Sequence, residues 1–155
     1  MSDKSLLLDE ICELLVDCDL FKNFPDQDIQ VAARYFCLSE LEEEKTIFVE
    51  GDKGSFMCII SSGAVSVLKS NLDGKSVTLA TLLEGRTFGE MALLDGERRS
   101  ATCVAATDCA LLTLSQDSLE KMIEEAPRTA ANVIRVVAIA LSKRLRMADG
   151  KLVDL

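Results

Sequence analysis

The hydrophobic rhythm of the chain changes twice. Leu6, Leu7, Ile11, Leu14, Leu15 and Cys18 recur at helical spacing, and a second helical stretch runs from Pro25-Asp26 through Ile29, Ala32 and Phe36, with Asp26 as its N-terminal signal. From about Lys45 the pattern shortens to β-type segments at 46–50, 55–61, 64–70, 76–83, 100–105 and 109–114. Turn signals divide them at Gly51-Asp52-Lys53-Gly54, Ser62-Gly63, Asp73-Gly74 and Gly85, and Asp73-Gly74 between two β-rich runs marks a hairpin. Helical rhythm then returns. Ser115 reads as the cap of a helix over 116–125, and Pro127 as the first residue of a longer one reaching about Ala148. Helices, many short strands, then helices again predict a sandwich, jelly roll or barrel with helices at both ends.

The last helix has an apolar middle on every side. Between Val133 and Leu141 only Arg135 is polar, so the helix must be covered on more than one face. One face can lie on the β-roll; the other needs a ligand, a neighbouring helix or a second copy of the chain. Ile134, Leu141 and Ala148 keep a seven-residue interval, with Val137 and Leu145 between them, as in a short coiled-coil seam. Simple burial within its own domain fits the pattern equally well. The sequence shows no internal repeat.

Composition narrows the function classes. The chain of 155 residues is one domain's worth, and its net charge of −9 is the wrong sign for a partner such as duplex DNA or an anionic membrane. Residues 1–50 hold 13 acidic and 4 basic side chains, so the imbalance lies at the front and the rest of the chain is neutral enough to hold an anion with local donors. The absence of histidine removes Ser-His-Asp and Cys-His nucleophile systems and His-ligated metal sites, and no metal is expected. The six cysteines form no C-x-x-C pair and sit mostly in apolar runs; reduced, buried thiols are favoured over three disulfides. The first twenty residues mix Asp9, Glu10, Glu13, Asp17 and Asp19 with leucines, unlike a signal peptide, and no run reaches the roughly 18 apolar residues of a membrane helix. A cytoplasmic location is expected.

The densest chemistry lies in residues 88–102, Phe88 to Thr102. The pattern is a strand end, a Gly turn, one short apolar helical turn, a second Gly turn, and a basic pair opening a strand. Amides at the start of a short helix point outward without partners, and Gly89 lets an anion approach them. Arg99 adds a charged planar fork for two phosphate oxygens, and Glu90 a carboxylate that can accept from sugar hydroxyls. These residues read as a sugar-phosphate site. An ion pair between Glu90 and Arg98 or Arg99, with nothing bound, fits the same spacing.

The run resembles the phosphate-binding cassette of the cyclic nucleotide-binding domain family, F-G-E-[LM]-A-L-[LI], a few turn residues, then R-[AST]-A-[TS]. Phe88 to Leu94 and Arg99 to Thr102 supply it in order. Ile47 to Gly51-Asp52 is similar to the family's I-x-x-x-G-D, and Ser62-Gly63-Ala64-Val65-Ser66-Val67 to its S-G-x-V-x-V strand. The resemblance covers about residues 20–148 and includes the sensor half of catabolite-activator-type regulators; no DNA-binding domain is expected with it.

The resemblance implies an α+β fold: a β-roll or jelly roll of about eight antiparallel strands flanked by N-terminal helices and a long C-terminal helix. Residues 1–155 form one domain, with N-terminal helices in 1–40, the roll in 45–114 and C-terminal helices in 115–155. It implies that Arg99 grips phosphate oxygens and that Glu90 bonds the ribose 2'-hydroxyl. Gly89 and Ser100 complete the site, Ala92, Arg98 and Ala101 belong to the same loop, and Val67, Leu79 and Leu82 face the base with Met91 beside them. The last helix then closes over the base and pairs two subunits. Arg98 stands where many members have Pro, and Ala148 and Asp149 stand where activator-like members place an adenine-reading Thr-Ser pair. Glu43-Glu44-Lys45 replaces the usual Gly before the first core strand. The expected function is a non-enzymatic sensor for cyclic AMP ahead of cyclic GMP, possible as a homodimer, without direct nucleic-acid binding or membrane insertion. A ligand-free interaction or dimerisation module is the alternative.

Overall fold

The run Phe56-Met57-Cys58-Ile59-Ile60 is apolar without alternation because strand β3 (Phe56–Ser62) is covered on both faces. Met57 and Ile59 enter a core shared with the helices, whereas Cys58 and Ile60 enter a second core between two sheets. Strand β8 (Cys109–Ser115) divides in the same way: Leu112 and Leu114 turn to the helices, Cys109 and Leu111 to the inter-sheet core. Period-two alternation therefore makes these two strands the middle layer of three. Fully burying one such Leu or Ile contributes about 1.5–3 kcal/mol.

The computed structural model describes residues 3–153. Helix α1 (Asp3–Asp17) and a single 3-10 turn (Asp19–Phe21) lead to α2 (Asp26–Ala33). Strands β1 (Cys37–Leu41) and β2 (Thr46–Phe48) precede β3, followed by β4 (Val65–Ser70), β5 (Ser76–Leu82), β6 (Thr87–Phe88) and α3 (Glu90–Asp95). After β7 (Thr102–Ala105) and β8 come α4 (Gln116–Glu125) and α5 (Pro127–Val153). The eight strands form two four-stranded sheets, ordered β1-β8-β3-β6 and β2-β7-β4-β5, with every named pairing antiparallel. This is the expected jelly roll with helices at both ends.

Ser115 caps α4 by accepting from the Ser118 amide at 3.0 Å, and Pro127 opens α5. The β4–β5 hairpin turns at Asn71–Lys75, where the Asn71 side chain accepts from the Asp73 and Lys75 amides. Two boundaries differ from the sequence reading. Helix α2 ends at Ala33, not Phe36, because the Arg34, Tyr35 and Phe36 amides bond three residues back and tighten the turn. Phe36 still reaches the helix-side core, its ring 6.0 Å from that of Phe21. The roll begins at Cys37 rather than 45, since β1 pairs with β8 from Cys37↔Thr113 to Leu41↔Cys109. β1 is half exposed and weakly patterned, so distant pairing, not local preference, makes it a strand.

Glu44, in the turn where the family's Gly is missing, takes φ 72, the one positive φ of a non-glycine residue among those described. All six cysteines are free. Burial pushes the Cys18 and Cys103 thiols up to about 11 and Cys58 to about 12, which keeps them protonated and inert near neutrality.

Helix α5 is tied down at its root. Asp28 of α2 is buried, and its two carboxylate oxygens accept from Thr129 Oγ1 at 3.0 Å and Asn132 Nδ2 at 2.9 Å. Both donors lie in the first turns of α5, where a helix favours negative charge. Ala130, Val133 and Val137 then bury one stripe of α5 in the helix-side core.

Candidate functional site

A cavity of about 760 Å³ opens between the start of α3, strands β4 and β5, and the middle of α5. All eleven residues singled out in the sequence line it: Val67, Leu79, Leu82, Gly89, Glu90, Met91, Ala92, Arg98, Arg99, Ser100 and Ala101.

The chain enters α3 through Gly89 at φ 76, and a Cβ there would stand 2.7 Å from Arg99 Nη1. Torsion and close approach both call for glycine. No side chain caps this helix start, so its first amides are the groups a helix leaves without an internal acceptor.

Which arginine faces inward is decided by a short pairing with the turn 51–54. The Arg99 amide donates to Asp52 O at 2.7 Å, the Gly51 amide to Arg99 O at 2.9 Å, and the Gly54 amide to Glu97 O at 3.0 Å. Adjacent residues of an extended chain point to opposite sides. Arg98 stays exposed at the cavity's edge, its Nη1 donating to Gly51 O at 2.8 Å. Arg99 is 5% exposed, its guanidinium 3.8 Å from the Phe48 ring centre and 4.6 Å from that of Phe56. Its Nη1 donates to Gly89 O at 3.2 Å and its Nη2 to Phe56 O at 2.7 Å. The fork is thus fixed by two carbonyls and two rings, with donors to spare. Burial pulls the Arg99 pKa below its ordinary value. Among the described residues no carboxylate forms an ion pair with Arg99. A buried cation without such a partner favours an anion beside it.

Glu90 is 4% exposed and pairs through Oε1 with Arg144 of α5. The expected alternative partners, Arg98 and Arg99, are both engaged with backbone carbonyls instead. Val136, Ile139, Ala140, Lys143 and Arg144 form the cavity-facing stripe of α5. Together with the stripe in the helix core, this accounts for the apolar middle of α5: one face meets its own domain and another the cavity. Ala148 and Asp149 lie on exposed distal turns and do not line the cavity.

Leu79 and Leu82 are three apart, the wrong parity for one face of a regular strand. A bulge resolves this: Val67 pairs with Ala80 and Leu68 with Thr78, leaving Leu79 as the extra residue. Leu79, Met91 and Ile139, each about half exposed, give the cavity an apolar rim.

Sequence reasoning missed several contributors. Phe48, which stacks on Arg99, carries no signal in the sequence beyond that of a strand residue. Gly54 signals only a turn in the sequence, yet a Cβ there would overlap that of Ala92 and stand 3.1 Å from Arg99 Nε. The Arg144 contact had no local signal, because the two partners are 54 positions apart. Among the described residues no group of three or more Cys, Asp or Glu is placed to hold a metal ion, and no helix is long and apolar enough to cross a membrane.

A roll closed by a terminal helix over a cavity with a fixed, buried cation defines a receptor module for a small ligand. The chain belongs to the cyclic nucleotide-binding domain family, whose model matches residues 38–126. It is 37% identical over 133 residues to the Cyclic AMP receptor protein of Thermus thermophilus, covering 86% of this chain and 60% of that relative. The chain thus spans about three fifths of that relative's length. Against a cAMP-dependent protein kinase regulatory subunit of Yarrowia lipolytica it is 34% identical over 83 residues, 54% of this chain and 21% of the relative. The crystal structure of a cyclic nucleotide-binding domain from Methylobacillus flagellatus matches with a TM-score of 0.79 at 26% identity, covering 95% of this chain and 83% of that one.

Proposed function

We propose that the protein is a non-enzymatic cyclic-nucleotide sensor that prefers cyclic AMP to cyclic GMP and couples ligand to the position of α5. The observation that carries this reading is Arg99, buried at the cavity and held by two carbonyls and two rings, with no carboxylate paired to it. In this reading its remaining donors take the phosphate oxygens, joined by the α3 amides and Ser100, while Glu90 accepts from the ribose hydroxyl. The apolar rim of Leu79, Met91 and Ile139 receives the base, aided by Val67 and Leu82.

Cyclic AMP is favoured because the Thermus and Yarrowia relatives carry it in their names, and "receptor" and "regulatory subunit" support a non-catalytic role. Ligand contact with α5 gives differential affinity for one position of that helix, which is all a switch requires. Leu145, 63% exposed and one turn beyond Leu141 on the same face, supports a homodimer through α5. The acidic balance supports a role without direct nucleic-acid contact, and the six free cysteines fit a reducing, cytoplasmic compartment.

Titration calorimetry with cyclic AMP and cyclic GMP tests the proposal. Binding of cyclic AMP, and loss of about a hundredfold or more in Arg99→Ala, is expected from two charged hydrogen bonds. No heat and no thermal shift with either nucleotide would leave the ligand-free interaction module as the better reading.

A further inference from the structure

The walls of the cavity come from separate parts of the chain. Val67, Leu79 and Leu82 belong to the β4–β5 hairpin, whereas Arg99 and Ser100 belong to the loop that precedes β7. The ladder between β4 and β7 stops at Leu68↔Thr102, yet the hairpin runs on past that level to Ser70↔Ser76. Arg99 is paired by its backbone to the turn 51–54, not to the hairpin. Side chains take over where the ladder ends. Lys69 Nζ donates to Ser100 O at 2.9 Å, the Ser70 amide donates to Glu50 Oε1 at 3.1 Å, and the Glu50 amide donates to Thr102 Oγ1 at 2.8 Å. Among the described residues neither Lys69 nor Glu50 forms an ion pair, so both charges are committed to this bracket, and bonds to charged groups are the stronger kind. Holding Ser100 O also fixes the plane of the peptide that follows Ser100. A ladder pair would engage an amide and a carbonyl together; Lys69 takes the carbonyl alone.

We propose that Lys69 is a positioning residue that, with Glu50, holds the base wall of the cavity at a fixed height against the phosphate grip, so that the two ends of a ligand are recognised together. The inference rests on the cyclic-nucleotide reading of the cavity. Neither Lys69 nor Glu50 lines the cavity, so both act through the segments they join. A ligand gripped by Arg99 and Ser100 finds Leu79 already in place. Without the bracket the hairpin must be ordered against the loop at each binding event, and that ordering is subtracted from affinity.

The test is a double-mutant cycle by calorimetry with cyclic AMP on the full chain: the parent, Lys69→Met, Leu79→Ala and the two combined. Lys69→Met should weaken binding about three- to tenfold, the worth of one hydrogen bond, and Leu79→Ala about threefold or more in the parent through lost apolar contact. In the Lys69→Met background Leu79→Ala should cost less than about twofold, because a base wall that is no longer held has less to lose. Lys69→Arg, which keeps a charged donor for Ser100 O, should restore most of the affinity. Lys75→Met removes an equal charge at the hairpin turn and should bind as the parent; a loss equal to that of Lys69→Met would assign the effect to charge alone and overturn the proposal. Thermal unfolding confirms that each variant is folded. If Lys69→Met is not folded, Glu50→Ala, which removes the Ser70 bond, takes its place in the cycle. Equal costs of Leu79→Ala in the two backgrounds, no cost of Leu79→Ala in the parent, or parent-like affinity in Lys69→Met overturns this inference alone. A parent that binds neither cyclic AMP nor cyclic GMP overturns the receptor reading and this inference with it.

Discussion

Replacing Gly54 with alanine adds one methyl group where the turn 51–54, α3 and Arg99 meet. Gly54 has no positive φ, so the cost is contact and not torsion. The new Cβ would overlap that of Ala92 and lie 3.0 Å from Glu97 O and 3.1 Å from Arg99 Nε. None of the three is the free end of a flexible side chain. Ala92 is fixed to α3, Glu97 O accepts from the Gly54 amide, and Arg99 is pinned by Gly89 O and Phe56 O. Carbon atoms pack at about 3.5–4.0 Å, so the turn and α3 must part. Overpacking of this kind costs about 1–3 kcal/mol of stability, read by urea denaturation. The same movement loosens Arg99 and the α3 start together, so cyclic AMP affinity should fall about 10- to 100-fold, the worth of one charged hydrogen bond. Gly74→Ala is the matched control. Gly74 has φ 78 and nothing within 4 Å of a new Cβ, so it adds about 1–2 kcal/mol of strain away from the cavity and should leave affinity unchanged. Gly54→Ala binding within about twofold of the parent, where a hydrogen bond's loss predicts tenfold or more, would refute the packing argument.

Arg99→Lys keeps the charge but loses the fork and the ring stacking, so it should bind cyclic AMP at least about tenfold more weakly; parent-like affinity in calorimetry would count against a bidentate contact. Glu44→Gly relieves φ 72 and should raise stability by about 1 kcal/mol in urea denaturation; an unchanged or lower midpoint would refute the strain at this turn. The raised pKa values of Cys18, Cys58 and Cys103 mean that the folded state holds protons the unfolded state releases above the ordinary thiol value of 9. Their contribution is complete below about pH 9 and is lost as pH rises towards 11–12, so the denaturation midpoint should fall over that window, less steeply in Cys58→Ala. Thr129→Val leaves Asp28 Oδ1 buried without its donor and should cost about 1–3 kcal/mol in urea denaturation; no loss would argue against the anchor.

Local chemistry was legible in the sequence wherever neighbours in the chain are neighbours in space. The Ser115 cap, the Pro127 start, the Asp73-Gly74 hairpin and the Gly89-to-Thr102 loop are of this kind, and the loop's own residues came out together at one cavity. The jelly roll followed from the family resemblance of that loop more than from periodicity, since β1 and β6 carry almost no pattern of their own. What stayed hidden depends on contacts made at a distance: the pairing of β1 with β8, the bulge that turns Leu79 inward, the approach of Gly54 to Ala92, and the reach of Arg144 across the cavity. The apolar middle of α5 was visible as a pattern, but whether a ligand, a helix or a second copy covered it could not be read from one chain's order of residues. The answer required knowing that Val133 and Val137 are buried in the helix-side core while Val136 and Ala140 line the cavity.

The Asp28 anchor has a mechanical consequence. It fixes α5 near Thr129 and Asn132, so the rest of the helix is a lever whose arm, from Asn132 to Val153, is about 30 Å at 1.5 Å per residue. A tilt of about ten degrees about that fulcrum would carry the tip some five ångströms while moving the root hardly at all, given the same rise per residue. If ligand moves α5 as proposed, a small adjustment at the cavity would be magnified at the far end of the helix, where the stroke would be largest.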